Sequence, residues 1–310
     1  MTTIEARSTP AGGTIRPGSV AAWRLATRPP TLTAAIAPVL VGTGAAIAAS
    51  SFRVLPALAA LFGALCLQIG ANLANDVFDH ERGADTAERM GPPRAAQSGL
   101  LTPLQLRAGM AASFGLATLA GVYLVYAAGW PVVIVGVASI VAAIIYTGGP
   151  WPTGYHALGD LFTFAFFGVV AVTGTYYVQA QELSGAAWFA ALPMGCTVTA
   201  ILVVNNLRDI PTDRATGKIT LGVVMGERAT RVWYVFLVAA AFVLALAMWP
   251  LGLASAWVAV ALLALIPAWP LVRSVATGTK GRALNPTLKA TARFDLAFAA
   301  LFALGLALSR

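Results

Sequence analysis

Charged residues are scarce in this 310-residue chain, because Asp, Glu, Lys and Arg together make up 10% of it, against roughly 25% in an ordinary soluble domain. Cysteine is nearly absent as well. The only two, Cys66 and Cys196, fall inside apolar runs without metal-ligand spacing, which is typical of buried core thiols. So little charge excludes a soluble globular domain and leaves no basic soluble region for a nucleic-acid partner. We therefore predict a protein embedded in a lipid bilayer.

Long apolar runs are what the chain has in abundance. Hydrophobic residues make up 58% of the sequence. Nine runs are long enough to cross a bilayer as helices, at about 31–50, 54–78, 104–127, 130–147, 159–180, 187–207, 231–249, 252–272 and 293–309. The strict alternation typical of barrel strands is missing. The sequence therefore predicts an all-α membrane protein with nine transmembrane helices in a bundle around a central cavity.

The distribution of basic residues predicts the orientation in the membrane. Eighteen of the twenty Lys and Arg residues lie before the first run, after the second, after the sixth and around the connection between the last two. Cytoplasmic connections carry such an excess, so we expect the amino terminus and these loops on the cytoplasmic side of the inner (plasma) membrane. Residues 1–30 lack the apolar core of a signal peptide and are predicted to be a cytoplasmic arm. Residues 31–310 are predicted to form a single domain.

Two similar pentapeptides, 130 residues apart, indicate an internal repeat. NDVFD at 75–79 aligns with NNLRD at 205–209, and both end an apolar run on the predicted cytoplasmic side. We expect two pseudo-repeated halves, at about 31–157 and 158–272, with the ninth helix, 293–309, outside the repeat. Chance is the alternative, since few positions match, but the equal placement in the membrane favours a repeat.

Acidic residues are concentrated at the ends of the two matching runs. Seven of the twelve fall within 76–88 and 209–213. On a helix the acids of each group recur three or four positions apart and so share one face. Carboxylates stacked at the hydrocarbon edge repel one another unless a cation neutralises them, and Mg²⁺ prefers such oxygens together with those of phosphates. A solvated helix end paired with nearby Arg would explain one such group, but two groups favour a site.

The candidate site residues lie at these run ends and in the connections that follow. Five carboxylates are the candidate metal ligands: Asp76, Asp79, Asp85, Asp209 and Asp213. Three cations beside Gly and Pro turns are candidate phosphate partners: Arg94, Lys218 and Arg214. Polar neighbours are candidate substrate contacts: Asn72, Asn75, Gln97, Tyr146, Tyr155, Asp160, Asn205 and Asn206. The Asn residues could equally cap helix ends, and an Arg here could simply anchor the topology.

These motifs resemble those of the UbiA-type intramembrane aromatic prenyltransferases. The likeness covers the whole chain, with an NDxxD motif after the second run and a DxxxD motif after the sixth. The segments most similar to the branch that prenylates 1,4-dihydroxy-2-naphthoate in menaquinone biosynthesis are NDVFDHERGADT, GPPRAAQSGLLTP, YTGGPWPTGYHALGD and NNLRDIPTDRATGK. One departure is Ile219, at a position where this family commonly has a basic residue.

The resemblance implies an Mg²⁺-dependent prenyl transfer. A polyprenyl diphosphate would place its head group on two Mg²⁺ ions held by the five carboxylates, with Lys218 and Arg94 as further catalytic residues. Dihydroxynaphthoate would then take the prenyl group, with release of pyrophosphate and CO₂, to give demethylmenaquinone or demethylmenaquinol. The alternatives are a sister enzyme with another aromatic acceptor, such as 4-hydroxybenzoate, and a membrane transporter. A transporter is less favoured because carriers place their charges near the midplane.

Overall fold

The computed structural model describes residues 15–85 and 88–310, so the first part of the predicted arm lies outside the described residues. All regular elements in the described ranges are helical. They are α1 (Val20–Thr27), α2 (Thr33–Ala48), α3 (Val54–Glu81), α4 (Pro103–Ala128), α5 (Pro131–Ile145), α6 (Gly159–Thr163), α7 (Ala171–Ala180), α8 (Gly185–Ala215), α9 (Leu221–Ala247), α10 (Leu265–Ala276) and α11 (Leu284–Ala307). A π-helical segment, Phe164–Val170, joins α6 to α7, and a 3₁₀ segment, Ala256–Ala264, leads into α10.

Seven helices in the described ranges are long and apolar enough to cross a membrane. An eighth forms if Val20–Thr31 and Thr33–Ala48 are counted as one span bent by 46°. α5 is apolar but has 15 residues, fewer than the roughly 20 of an ordinary crossing. The protein is therefore an all-helical, multi-pass membrane protein. Nine crossings, a central cavity and the side on which each terminus lies stay predictions.

The helix pairs of the two halves pack alike. α3 packs chiefly on α4, α8 packs chiefly on α9, and α11 closes the bundle against α2. α8 is the central helix, because 72% of its apolar window is buried inside the protein. The pairing of the second with the third span and of the sixth with the seventh is what two related halves would produce. The repeat itself stays a prediction.

The two acidic motifs lie in the last turns of α3 and α8, and both helices end in the same way. Gly83 follows α3 with φ 70°, and Gly217 follows α8 with φ 74°. Glycine readily adopts this left-handed conformation just past a helix end. Each glycine therefore turns the chain out of its helix directly after the acids, into a connection that folds back over them.

The bundle core consists mainly of small and aromatic side chains from α2, α8, α9 and α11. Small residues let helices approach closely in a membrane. One acid lies within this core: Asp295 of α11 has no exposed surface and accepts a hydrogen bond of 2.7 Å from the Thr197 hydroxyl of α8.

Candidate active site

Asp76 lies on the buried face of α3 and holds the loop that follows this helix. Its two carboxylate oxygens accept hydrogen bonds from the backbone amides of Ala95 and Ala96, each 3.1 Å long. The residue is only 1% exposed. Because both bonds end on successive peptide groups of one turn, Asp76 fixes the position of the neighbouring Arg94.

The Asp79 carboxylate is contacted by side chains from three different connections. One of its oxygens accepts a hydrogen bond of 2.7 Å from the Tyr155 hydroxyl. The other accepts one of 3.2 Å from Arg94 and lies 3.8 Å from the Nζ atom of Lys218. The carboxylate is therefore buried under a phenol and two cations. Burial raises the pKa of Tyr155, and the charge of Asp79 and its hydrogen bond raise it further, so the phenol stays protonated as a donor.

Asp85 completes the acidic group of the first connection. Its Oδ1 atom lies 2.5 Å from Nη1 of Arg89 and 3.5 Å from Nε of Arg94. Burial raises the pKa of this carboxyl to about 6, the Arg89 charge opposes the shift, and the charges of Asp79 and Asp76 add to it. The Oδ2 atom of Asp85 and the Nε and Nη1 atoms of Arg94 are buried without a hydrogen-bond partner in residues 15–85 and 88–310.

The connection after α8 brings Lys218 to the first motif. The backbone amide of Lys218 donates to the Asp213 carbonyl over 2.8 Å, while its Nζ atom lies 4.8 Å from the Tyr155 ring centroid. The Asp213 carboxylate accepts one long bond, 3.5 Å, from the Thr220 hydroxyl. One lysine therefore links the two acidic motifs.

Ile219 links two connections of the site through its backbone. Its amide donates to the Tyr155 carbonyl over 3.3 Å, and its own carbonyl accepts from the Ala157 amide over 2.7 Å. The side chain is half exposed. The connection after α5 and the connection after α8 are thus joined by a short backbone pairing at this position.

Asp209 is paired with Arg208, which was not among the residues predicted for the site. The guanidinium donates from Nε and Nη2 to both oxygens of Asp209, over 2.8 and 2.6 Å, and is only 1% exposed. It also donates to the side-chain oxygens of Asn205 and Asn285, over 2.8 and 2.9 Å. Adjacent residues on a helix do not normally face each other, so the sequence spacing argues against this pair and only the structure shows it.

Two of the Asn residues predicted to contact substrate form hydrogen bonds to neighbouring segments of the protein. Asn72 donates to the Thr27 carbonyl and the Thr31 hydroxyl, each over 3.0 Å. Asn75 accepts from the Thr147 hydroxyl over 2.9 Å. In these contacts the two amides tie the end of α3 to the segments before α2 and after α5.

The remaining candidates lie around this network. Gln97 follows the turn held by Asp76, and Asn206 is buried on α8 facing Gly222 of α9. Arg214 is exposed near the end of α8. The structure thus brings Asp79, Asp85, Arg94 and Lys218 together, with Asp213 bonded to the Lys218 backbone. Asp209 is held by Arg208 instead, and Arg214 lies at the surface.

Tyr146 and Asp160 lie at the two ends of the connection between α5 and α6. A Cβ atom placed on Gly159 would be 3.0 Å from the Tyr146 hydroxyl, so this hydroxyl lies beside the backbone that carries Asp160. A Cβ atom placed on Gly154 would be 3.0 Å from the Tyr146 ring, and the next residue, Tyr155, bonds to Asp79. Tyr146 therefore lies between Asp160 and the acidic motifs.

The donor atoms of the site suit a hard cation. Carboxylate and amide oxygens are the ligands that Mg²⁺ prefers. Asp85 keeps an oxygen with no partner among the described residues, and Asp213 is held only loosely. No three Asp, Glu, His or Cys side chains in those residues converge as a metal site. The side chains therefore fit Mg²⁺ only if substrate oxygens complete its shell, as phosphate oxygens commonly do.

Comparison with known proteins identifies the family. The profile of the UbiA prenyltransferase family matches residues 35–287. The chain therefore belongs to the UbiA prenyltransferase family and is a prenyltransferase, which decides against the transporter alternative.

Curated relatives extend the likeness over nearly the whole chain. The 1,4-dihydroxy-2-naphthoate octaprenyltransferase of Mycobacterium tuberculosis is 42% identical over 88% of this chain and 92% of its own length. The enzyme of the same name from Escherichia coli is 38% identical over 93% of this chain and 96% of its own. That of Bacillus subtilis is 34% identical over 93% and 92%.

Solved structures share the fold. A UbiA homologue from Aeropyrum pernix superposes with a TM-score of 0.68 at 16% identity, over 88% of this chain and 96% of its own. A homologue from Archaeoglobus fulgidus, solved with DMAPP and Mg²⁺, gives 0.63 at 15% identity, over 90% and 98%.

Proposed function

We propose that the protein transfers a polyprenyl group from polyprenyl diphosphate to 1,4-dihydroxy-2-naphthoate. The products are pyrophosphate, CO₂ and demethylmenaquinol, a step of menaquinone biosynthesis. Relatives named for this activity are 34% to 42% identical to the chain. The observation that carries the proposal is the meeting of Arg94, Lys218 and Tyr155 on the buried carboxylate of Asp79.

Arg94 and Lys218 would hold the diphosphate. A planar guanidinium and an ammonium are the groups that bind phosphate oxygens best. Nη1 of Arg94 is buried and has no hydrogen-bond partner in the described part of the chain, while Nε has only the 3.5 Å ion pair with Asp85, so Nη1 remains available to an anionic ligand. The same two cations would stabilise the negative charge that grows on the pyrophosphate as the carbon–oxygen bond breaks.

Two Mg²⁺ ions would be held at this site by the five carboxylates of the two motifs: Asp76, Asp79, Asp85, Asp209 and Asp213. Bound Mg²⁺ would neutralise charge on the departing pyrophosphate. The oxygen donor set supports this assignment, and so does the Archaeoglobus homologue bound to DMAPP and Mg²⁺. Asp76 and Asp209 already bond through both oxygens, to backbone amides and to Arg208, so Asp85 and Asp213 offer the least engaged oxygens.

The protein interior would protect the reactive carbon. Loss of pyrophosphate leaves an allylic cation that water would quench, and an apolar bundle keeps water away. The electron-rich naphthoate ring then forms the new carbon–carbon bond. The acidic motifs lie at helix ends beside the Arg-rich connections, which supports an active site on the cytoplasmic side of the inner membrane.

This function can be tested in a competition assay that contains purified protein, a polyprenyl diphosphate and the two acceptors. Mass spectrometry should find the prenylated, decarboxylated product from dihydroxynaphthoate and little or none from 4-hydroxybenzoate. A chelator should abolish the product, and added Mg²⁺ should restore it. Preferential prenylation of hydroxybenzoate would move the protein to the sister activity, and turnover in excess chelator would remove Mg²⁺ from the proposal.

A further inference from the structure

Asp160 presents one bound and one free carboxylate oxygen. Its Oδ2 atom accepts a hydrogen bond of 2.9 Å from the indole N–H of Trp233 on α9. Its Oδ1 atom is buried and has no hydrogen-bond partner among residues 15–85 and 88–310, and the residue is only 7% exposed. A buried carboxylate oxygen without a donor costs free energy. A ligand that donates a hydrogen bond would remove that cost.

The surroundings of Asp160 differ from those of the acidic motifs. Each acid of the first motif has a cation or a pair of amides against it, whereas Asp160 forms no ion pair within the described part of the chain. Its one fixed partner, an indole, donates but cannot accept. Asp160 is therefore suited to a neutral donor, such as a phenolic hydroxyl, rather than to a diphosphate.

The position of Asp160 places such a ligand next to the reacting end of the diphosphate site. The Tyr146 hydroxyl lies beside Gly159 on one side, and its ring lies against Gly154, the neighbour of Tyr155, on the other. The connection that carries Tyr146 is packed on α3, because a Cβ atom on Gly148 would be 2.8 Å from the Phe78 ring. A flat aromatic molecule beside Tyr146 would reach both Asp160 and the diphosphate.

We propose that Asp160 receives a ring hydroxyl of the aromatic acceptor, with Trp233 as the positioning residue that orients the carboxylate and Tyr146 as the side wall. This assignment rests on the proposed function. Trp233 is itself braced by Phe236, with ring centroids 5.3 Å apart and planes 13° from parallel. The bound oxygen thus stays with the indole, and the free oxygen faces the ligand.

Asp160 takes up one proton from the acceptor and later returns it. The ring carbon that bears the carboxylate attacks the allylic cation, and ring electrons form the bond to the prenyl carbon. The O–H electrons of the adjacent hydroxyl form a ring carbonyl, and its proton passes to Oδ1 of Asp160. The carbon–oxygen bond of the donor has already broken by then, and its electrons have left with pyrophosphate. Loss of CO₂ then returns electrons to the ring, and the carbonyl recovers its proton from Asp160 as aromaticity is restored. Asp160 acts as general base and then as general acid.

The principal variant is Asp160→Asn, which keeps the shape and removes the charge. We expect kcat/KM for dihydroxynaphthoate to fall about 100-fold or more, as for the loss of a general base, while KM for polyprenyl diphosphate changes less than about twofold, since that ligand is held elsewhere. Trp257→Phe, at an exposed tryptophan, is the matched control and should match the wild type. An unchanged kcat/KM for dihydroxynaphthoate, or a large rise in KM for polyprenyl diphosphate, would overturn the assignment.

A binding measurement separates this role from a structural one. Wild-type protein should bind dihydroxynaphthoate about 10-fold or more tightly than analogues that lack one ring hydroxyl, since a hydrogen bond to a charged group is lost. Asp160→Asn should erase that preference for one of the two analogues, and Trp233→Phe should reduce it. If both preferences stay undiminished in Asp160→Asn, or in Trp233→Phe, the assignment is wrong.

The same experiment distinguishes this inference from the proposed function. If wild-type protein gives no product from dihydroxynaphthoate, the proposed function is wrong, and the acceptor assignment is wrong with it. If the wild type gives product and Asp160→Asn keeps its kcat/KM, only the assignment of Asp160 is overturned. Trp233→Phe leaves the carboxylate in place, so it tests the assignment even where Asp160→Asn does not fold.

Discussion

At the scale of single residues, the site is organised around the carboxylate of Asp79. Arg94, Lys218 and Tyr155 reach it from three different connections. Each donates a hydrogen bond or positive charge, so a polyanion at this point meets donors that the protein has already oriented. Substitutions around Asp79 therefore test whether these residues hold the proposed diphosphate.

Lys218→Ala should weaken the use of polyprenyl diphosphate by about 1.5–3 kcal/mol, the range for a hydrogen bond to a charged group. That loss corresponds to a fall in kcat/KM of about 10- to 150-fold. Steady-state kinetics with varied diphosphate measure it, and Lys289→Ala, at an exposed lysine of α11, is the control. Unchanged kinetics would leave Lys218 a topology anchor.

Arg208→Met should reduce stability by about 3–5 kcal/mol, because it leaves the Asp209 charge buried without its partner. The double variant Arg208→Met with Asp209→Asn should recover part of this loss, since no unpaired charge remains. Unfolding in detergent measures both proteins. A single variant as stable as the wild type would show that this ion pair contributes little to the fold.

At the scale of the helices, α3 and α4 make a very close contact at Gly70. Gly70 lies under the Phe114 ring, where any Cβ atom would overlap the aromatic carbons. Small residues at such contacts are typical of membrane helices. Because α3 carries the first acidic motif, this contact also sets the position of Asp79 relative to α8.

Gly70→Val should destabilise the protein by about 1–3 kcal/mol, the usual cost of inserting methyl groups into a packed contact. Activity should fall as well, since the last turns of α3 must shift. Gly121→Val is the matched control, because a Cβ atom there meets no other atom within 4 Å. Unfolding and turnover of the two variants should differ clearly; equal behaviour would contradict a rigid contact at Gly70.

At the scale of the whole molecule, one site draws on both halves of the chain. The first motif ends α3, the second ends α8, and Lys218 connects them. Asp79→Asn and Asp209→Asn should each nearly abolish turnover, and the double variant should be scarcely worse than either, since both losses disable one head-group site. Rates that multiply in the double variant would show two independent sites.

The sequence predicts the helical class correctly, because an apolar run long enough for a bilayer has few other structures open to it. It does not predict the π-helical segment Phe164–Val170 or the 3₁₀ segment Ala256–Ala264. The hydrophobic pattern does not reveal whether each amide bonds the carbonyl three, four or five residues earlier, and this register distinguishes the helix types. The motif acids stand out by their spacing, whereas the pairing of Trp233 with Asp160 joins residues 73 positions apart and leaves no pattern in the sequence.

The backbone pairing of Ile219 with Tyr155 and Ala157 has a consequence for how the chain can evolve. The pairing joins the connection after α5, in the first predicted half, to the connection after α8, in the second. Lys218 is the residue directly before Ile219, so its position depends on this pairing. An insertion or deletion in either connection would therefore displace Lys218 or Tyr155, both of which contact Asp79. We therefore expect the two connections to tolerate changes of length only together. Among relatives of this protein, the lengths of the two connections should vary together.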